Sequence, residues 1–115
     1  MTYVTEAEFI EAFGLELTIE LTNLEDPTAT TVNSVVLARH IAIATGIING
    51  YLSARFCVDK ITEVPELLKA IALDLVRYKA GHYAKEDDVR ARYEDAIRQL
   101  QQIANGTLNL GLPCA

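Results

Sequence analysis

The stretch PELLKAIALDLVRYKAGH, residues 65–82, decides the fold. Leu67, Leu68, Ala70, Ile71, Ala72, Leu73, Leu75 and Val76 cover nearly the whole circumference of a helix, and a helix apolar all round belongs inside a core. Pro65 suits the first helical turn, where its missing N–H would have no partner. Val64 before it is pushed towards extended geometry, which fixes the start. The other segments read as amphipathic covers for this rod. The expected fold class is therefore all-α, a small bundle of about four to five helices around a buried central helix.

C-terminal to the rod, Gly81 stands near its end and Lys85 to Asn105 reads as the last helix. Glu86, Asp87 and Asp88 crowd its first turn, where the positive end of the helix dipole favours them. Val89, Tyr93, Ala96, Ile97, Leu100, Ile103 and Ala104 make one apolar stripe. Glu86–Arg90, Asp88–Arg92 and Glu94–Arg98 are i,i+4 pairs on the wet side, each worth about 0.2–0.5 kcal/mol. Gly106 ends the helix, and residues 106–115 read as an extended arm. Leu108, Leu110 and Leu112 alternate with Thr107, Asn109 and Gly111, so one edge of that arm is apolar. Chain ends stay disordered unless tied down, and three leucines there call for a covering surface. A partner subunit or neighbouring protein is the expected cover, with the Leu15–Leu21 segment of the same chain as the alternative.

N-terminal to the rod, Thr5 followed by Glu8 is a capping box, with Val4 and Phe9 at the staple positions. Phe9, Ile10 and Phe13 give this first helix an apolar side, and Gly14 stops it. Leu15 to Thr22, LELTIELT, alternates with period 2 and so favours a strand. Its only alternating counterpart is Thr107 to Leu112, and an isolated strand is unstable; terminal pairing and a short second helix both remain open. Asp26-Pro27 and a run of threonines make 23–32 a polar loop. Asn33 or Ser34 caps the next helix, which runs to about Arg55. Ala38, Ala42, Gly46, Gly50 and Ala54 recur on it every four positions, one drifting stripe. Each mid-helix glycine costs roughly 1 kcal/mol relative to alanine, so two on one face predict close packing against another helix. The central rod is the favoured partner, a neighbouring subunit the alternative.

The 115 residues, half hydrophobic and 23% charged, form one domain of ordinary globular composition, residues 1–115. The net charge is −6 and no lysine/arginine cluster exists, which argues against a face that tracks phosphates. Cys57 and Cys114 lack metal-ligand spacing and read as reduced thiols. No basic region followed by an apolar run opens the chain, so no signal peptide is expected. Arg39, His40, Thr45 and Asn49 interrupt the apolar run Val35–Leu52, whereas a spanning helix needs ~20 mostly apolar residues; no membrane partner is expected.

Asp74 and Arg77 lie on the most buried helix at i,i+3. A buried charge needs a partner, so the expectation is a structural ion pair that does no chemistry. Loss of one partner of such a pair costs about 3–5 kcal/mol. His82 and Glu86 have metal-ligand spacing, but the break at Gly81 spoils it, and His40 has no acidic partner at helical spacing. No nucleophile elbow, P-loop, H-E-x-x-H or Cys-x-x-Cys is present. No catalytic, cofactor or metal residue is expected, and acidic side chains outnumber the arginines on the last helix, against a DNA-reading role.

Four passages together resemble one family, the small head–tail connector proteins of Mu-like phages and prophages. They are Glu8-Phe9-Ile10 through Phe13-Gly14 to Glu20-Leu21-Thr22; Gly50-Tyr51-Leu52-Ser53-Ala54-Arg55-Phe56; Asp74-Leu75-Val76-Arg77-Tyr78; and Arg92-Tyr93-Glu94-Asp95-Ala96 with Ile103-Ala104-Asn105-Gly106 and Leu110-Gly111. The resemblance implies an all-helical, non-enzymatic subunit of the virion, assembled in the bacterial cytoplasm. It implies a homo-oligomeric ring between the portal and the tail-completion proteins, with DNA passing through the centre without sequence-specific binding. An acidic wall suits that role. The resemblance also favours a short helix for Leu17 to Thr22. The connector after Phe56 departs from the family pattern, with Asp59 where a proline is expected. The rival reading is a small helical regulatory or accessory protein encoded by a prophage.

Overall fold

The computed structural model describes residues 2–81 and 87–112. Five α-helices follow one another: α1 (Glu6–Phe13), α2 (Leu15–Thr22), α3 (Ser34–Leu52), α4 (Glu66–Ala80) and α5 (Asp87–Asn105). A single 3₁₀ turn, Val58–Lys60, holds Asp59 in the connector between α3 and α4. The all-α expectation is met, and no strand forms among the described residues.

The local signals at α1 act as read. The Thr5 side chain accepts from the Glu8 N–H at 3.1 Å, and the Glu8 carboxylate accepts from the Thr5 N–H at 2.9 Å. These bonds satisfy two donors that a helix start leaves orphaned. Val4 and Phe9 are buried in the common core. Gly14, at φ +93°, turns the chain sharply into α2, a backbone state that only glycine adopts without strain.

α2 settles the open choice in favour of a helix. Its inward face is Thr18, Leu21 and Thr22, all buried, and of the alternating set only Leu21 is fully buried, while Leu15 is exposed. The Thr18 hydroxyl donates to the Gly14 carbonyl at 2.7 Å and the Thr22 hydroxyl to the Thr18 carbonyl at 2.8 Å. Each buried hydroxyl thus finds its partner one turn back, which removes most of the cost of burying it. Thr22 also accepts from the Asn33 N–H at 3.0 Å, and Asn23 donates to the Thr31 carbonyl at 2.8 Å. These bonds pin the polar loop to the foot of α3, whose cap is Asn33.

α4 packs between α3 and α5, and these three helices also touch pairwise. Leu68, Ile71, Ala72, Leu75, Val76 and Ala80 of α4 meet Leu37, Ile48 and Leu52 of α3 and Leu100 and Ile103 of α5 in one core. Pro65 is the N-cap rather than the first helical residue, and its carbonyl takes the first helical bonds. The rod is not buried all round. Ala70 and Glu66 are exposed, because α1 covers that side only in part and meets it through an ion pair, Lys69–Glu8 at 3.3 Å. The Tyr3 hydroxyl donates to Asn49 and ties the N-terminal segment to α3.

α5 buries Val89, Ala96, Leu100 and Ile103 as its stripe requires. Asp88–Arg92 forms at 3.8 Å, whereas Arg98 pairs with Asp95 instead of Glu94. The Glu86–Arg90 and His82–Glu86 readings, and Cys114, fall outside the described residues. Beyond Gly106 the arm turns back on its own subunit. Leu112 is buried in the common core, and Leu108 and Leu110 pack against it. The leucines therefore pack on the core of their own chain and do not form a free apolar edge.

Candidate assembly surface

The small-residue stripe of α3 faces outward. Ala38, Ala42, Gly46, Gly50 and Ala54 are all exposed, and a Cβ placed on Gly46 or Gly50 would meet nothing within 4 Å. Packing of this stripe against the central rod is thus corrected. α3 meets the rod with its other face, Leu37, Ile41, Ala44, Ile48 and Leu52, whose larger side chains bury more apolar area per turn than alanine and glycine. The outward face also carries Val35 at 71% exposure and Ile43 at 45%. α3 is long and apolar enough to cross a membrane by length and composition, yet only 28% of that span is buried. Much of its apolar surface is therefore left outside the subunit's own core.

A groove of about 440 Å³ runs beside this face, lined by Gly46, Ile47, Gly50 and Tyr51 of α3 and Tyr93 and Ile97 of α5. The absent glycine side chains keep its floor open. Tyr93 stacks on Tyr78 with ring centroids 4.0 Å apart, and the Lys79 ammonium lies 5.6 Å from the Tyr93 centroid, within cation–π range.

Asp74 and Arg77 share a smaller cavity, about 200 Å³, with Phe13, Leu17, Asp88, Val89 and Arg92. The structure does not join them as an ion pair. Arg77 is buried, while Asp74 is half-buried and feels Arg92 of α5 as the charge that favours its ionised form. Burial pushes the Asp74 carboxyl above its ordinary pKa; Arg92 opposes that shift, and Asp95 and Asp88 add to it. The spacing allowed an intrahelical pair, and the packing of α5 supplied a different neighbour. Among the described residues no group of three histidine, cysteine or acidic side chains is placed to hold a metal ion.

Arg55 is a residue whose role its sequence position did not reveal. Its guanidinium donates to the Ile103 carbonyl at 2.9 Å and lies 5.2 Å from the Phe56 ring centroid. It thereby caps the negative end of α5 from the far side of the chain. A second unread signal is the division of charge. Residues 1–26 hold seven carboxylates and no lysine or arginine, while residues 27–58 hold Arg39 and Arg55 and no carboxylate.

The described residues thus define a small all-helical protein whose most distinctive surface is an uncovered apolar helix face. Residues 3–115 match the family model described as Bacteriophage Mu, Gp36, and the chain belongs to that family. It is 27% identical over 110 residues to the Mu-like prophage FluMu protein gp36 of Haemophilus influenzae, covering 96% of this chain and 76% of that one. It is 30% identical over 80 residues to Gene product J of Escherichia phage Mu, covering 70% of this chain and 56% of that one. The second match therefore spans just over half the relative's length. The expectation of a Mu-like phage family is met.

Proposed function

We propose that this chain is a non-enzymatic structural subunit of a phage or prophage particle, a head–tail connector that assembles as a ring between portal and tail. The observation that carries this reading is the exposed apolar face of α3 in a member of a Mu-like phage family. Such a face suits a protein that works covered by others. Its partners are copies of itself, the portal and the tail-completion proteins, and its place is the virion, after assembly in the host cytoplasm. The net charge of −6 fits a channel wall past which DNA slides, since a basic wall would hold the phosphates by counterion release.

The test is deletion of the gene from an inducible prophage, followed by electron microscopy of the lysate. Filled heads and separate tails are expected, with complete particles restored by the gene in trans. Antibody labelling of those particles should mark the junction of head and tail. Normal particles from the deletion strain, with altered induction or transcription, would overturn the reading in favour of a regulator.

A further inference from the structure

We propose that the exposed α3 face and its adjoining groove seat the α1–α2 corner of a second copy of this chain, joined head to tail. This rests on the reading of the chain as an assembly subunit and names the partner of that surface. Four large apolar side chains stand exposed among the described residues, and they fall into two groups. Val35 and Ile43 lie on α3; Leu15, 54% exposed, and Leu24, 46% exposed, lie on the α1–α2 hairpin and the loop after it. One group makes a receiving face with an open, glycine-floored groove. In the other, Leu15 stands at the α1–α2 corner, where Gly14 turns the chain, while Leu24 lies past the far end of α2, beside Val36 and Arg39 of its own α3.

Charge separates the same two regions. The hairpin segment carries seven carboxylates and no lysine or arginine, and the α3 segment carries no carboxylate and two arginines, Arg39 on the helix and Arg55 beyond its end beside Ile103. A hairpin meeting a hairpin, or α3 meeting α3, brings like charge together; a hairpin on α3 brings opposite charge together. Complementary potentials of this sort select the partner and its register. The two regions do not share the groove. α3 and α5 line it and no hairpin residue does; the hairpin packs on α3 within its own subunit and reaches α4 through the Glu8–Lys69 ion pair. Unlike surfaces of one subunit give a heterologous contact, which closes into a ring when the rotation permits.

The test is sedimentation velocity of the full chain across a range of concentrations and salt, with two surface variants, Leu15→Asp and Ile43→Glu. The wild type should self-associate with rising concentration, less so at high salt. Each variant should keep the wild-type circular dichroism and lose association at least tenfold. An equimolar mixture should form one pair and nothing larger, since it holds one intact corner and one intact groove that match. Wild-type association by Leu15→Asp would show instead that α3 meets α3. A wild type that remains monomeric throughout, or that binds phospholipid vesicles without self-association, would also overturn the proposal. Whether the chain is found in phage particles is a separate result, so failure here leaves the connector reading to its own test.

Discussion

Asp74 is the residue at which burial and charge oppose each other. Its carboxyl is half-buried, and the largest influence on it is lost hydration, which favours the protonated form; Arg92 offsets this only in part. A carboxyl whose folded pKa lies above its unfolded value contributes stability that is fully present below the unfolded pKa and is lost as pH rises through the folded one. At neutral pH the ionised group therefore works against the fold. Asp74→Asn is expected to raise the melting temperature at pH 7 and to give little or no gain near pH 3, where the carboxyl is already protonated. A lower melting temperature at pH 7 would show that attraction to Arg92 outweighs desolvation. Glu8 runs the other way, because the Thr5 N–H it accepts holds its pKa below the ordinary value; its contribution is present above the unfolded pKa and is lost as pH falls through the folded one. The capping box was legible because all its parts lie within four residues. The neighbours of Asp74 were not, because they arrive from α5.

At the scale of elements, the C-terminal end of α5 is held by two distant positions acting together. Arg55 donates to the Ile103 carbonyl in the last turn, which also accepts from the Gly106 N–H at 3.3 Å. Gly106, at φ +89°, lets the chain leave the helix close beside that guanidinium, where a Cβ would come within 3.1 Å of it. Arg55→Ala is expected to lower stability by about 1 kcal/mol, since it removes a charge-assisted bond at a helix end. Gly106→Ala should cost about the same or more, through both the left-handed backbone and the displaced arginine. Urea melts measure both, and hydrogen exchange should quicken first at Ile103 to Asn105; an unchanged melt for Arg55→Ala would show that water replaces it. The same scale shows why some elements read easily. α5 and α4 declare themselves through apolar periodicity and end signals, which are local. α2 did not, because threonine hydroxyls bonded one turn back can line a buried face, and a period-2 count ignores them. The α3 stripe was read correctly as a face but assigned to the wrong side. Small residues recur with the same spacing whether they touch the rod or the outside of the molecule, and only the larger Leu37, Ile41 and Ile48 on the opposite face decide it.

For the whole molecule, the question is why an exposed helix should keep two glycines. The subunit is elongated, 47 × 28 × 19 Å, and the exposed side of α3 extends along a helix of 19 residues. A Cβ on Gly46 or Gly50 would meet nothing within 4 Å, and each glycine gives the helix more freedom to lose on folding than alanine would. In the isolated subunit, alanine should therefore be the better residue. Gly50→Ala is expected to stabilise the dilute, monomeric protein by roughly 0.5–1 kcal/mol, seen as a melting temperature higher by a few degrees. If the groove receives a neighbour's corner, the added methyl groups of the Gly46→Ala, Gly50→Ala pair occupy part of the space that corner needs, and overpacking a fitted contact is unfavourable. The double variant should then melt higher when dilute yet associate more weakly when concentrated. Those opposite signs separate assembly from folding, because a glycine kept for the subunit's own packing would lower both. A double variant that melts higher and associates as well as the wild type would remove the groove from the interface and leave the two glycines without a structural reason.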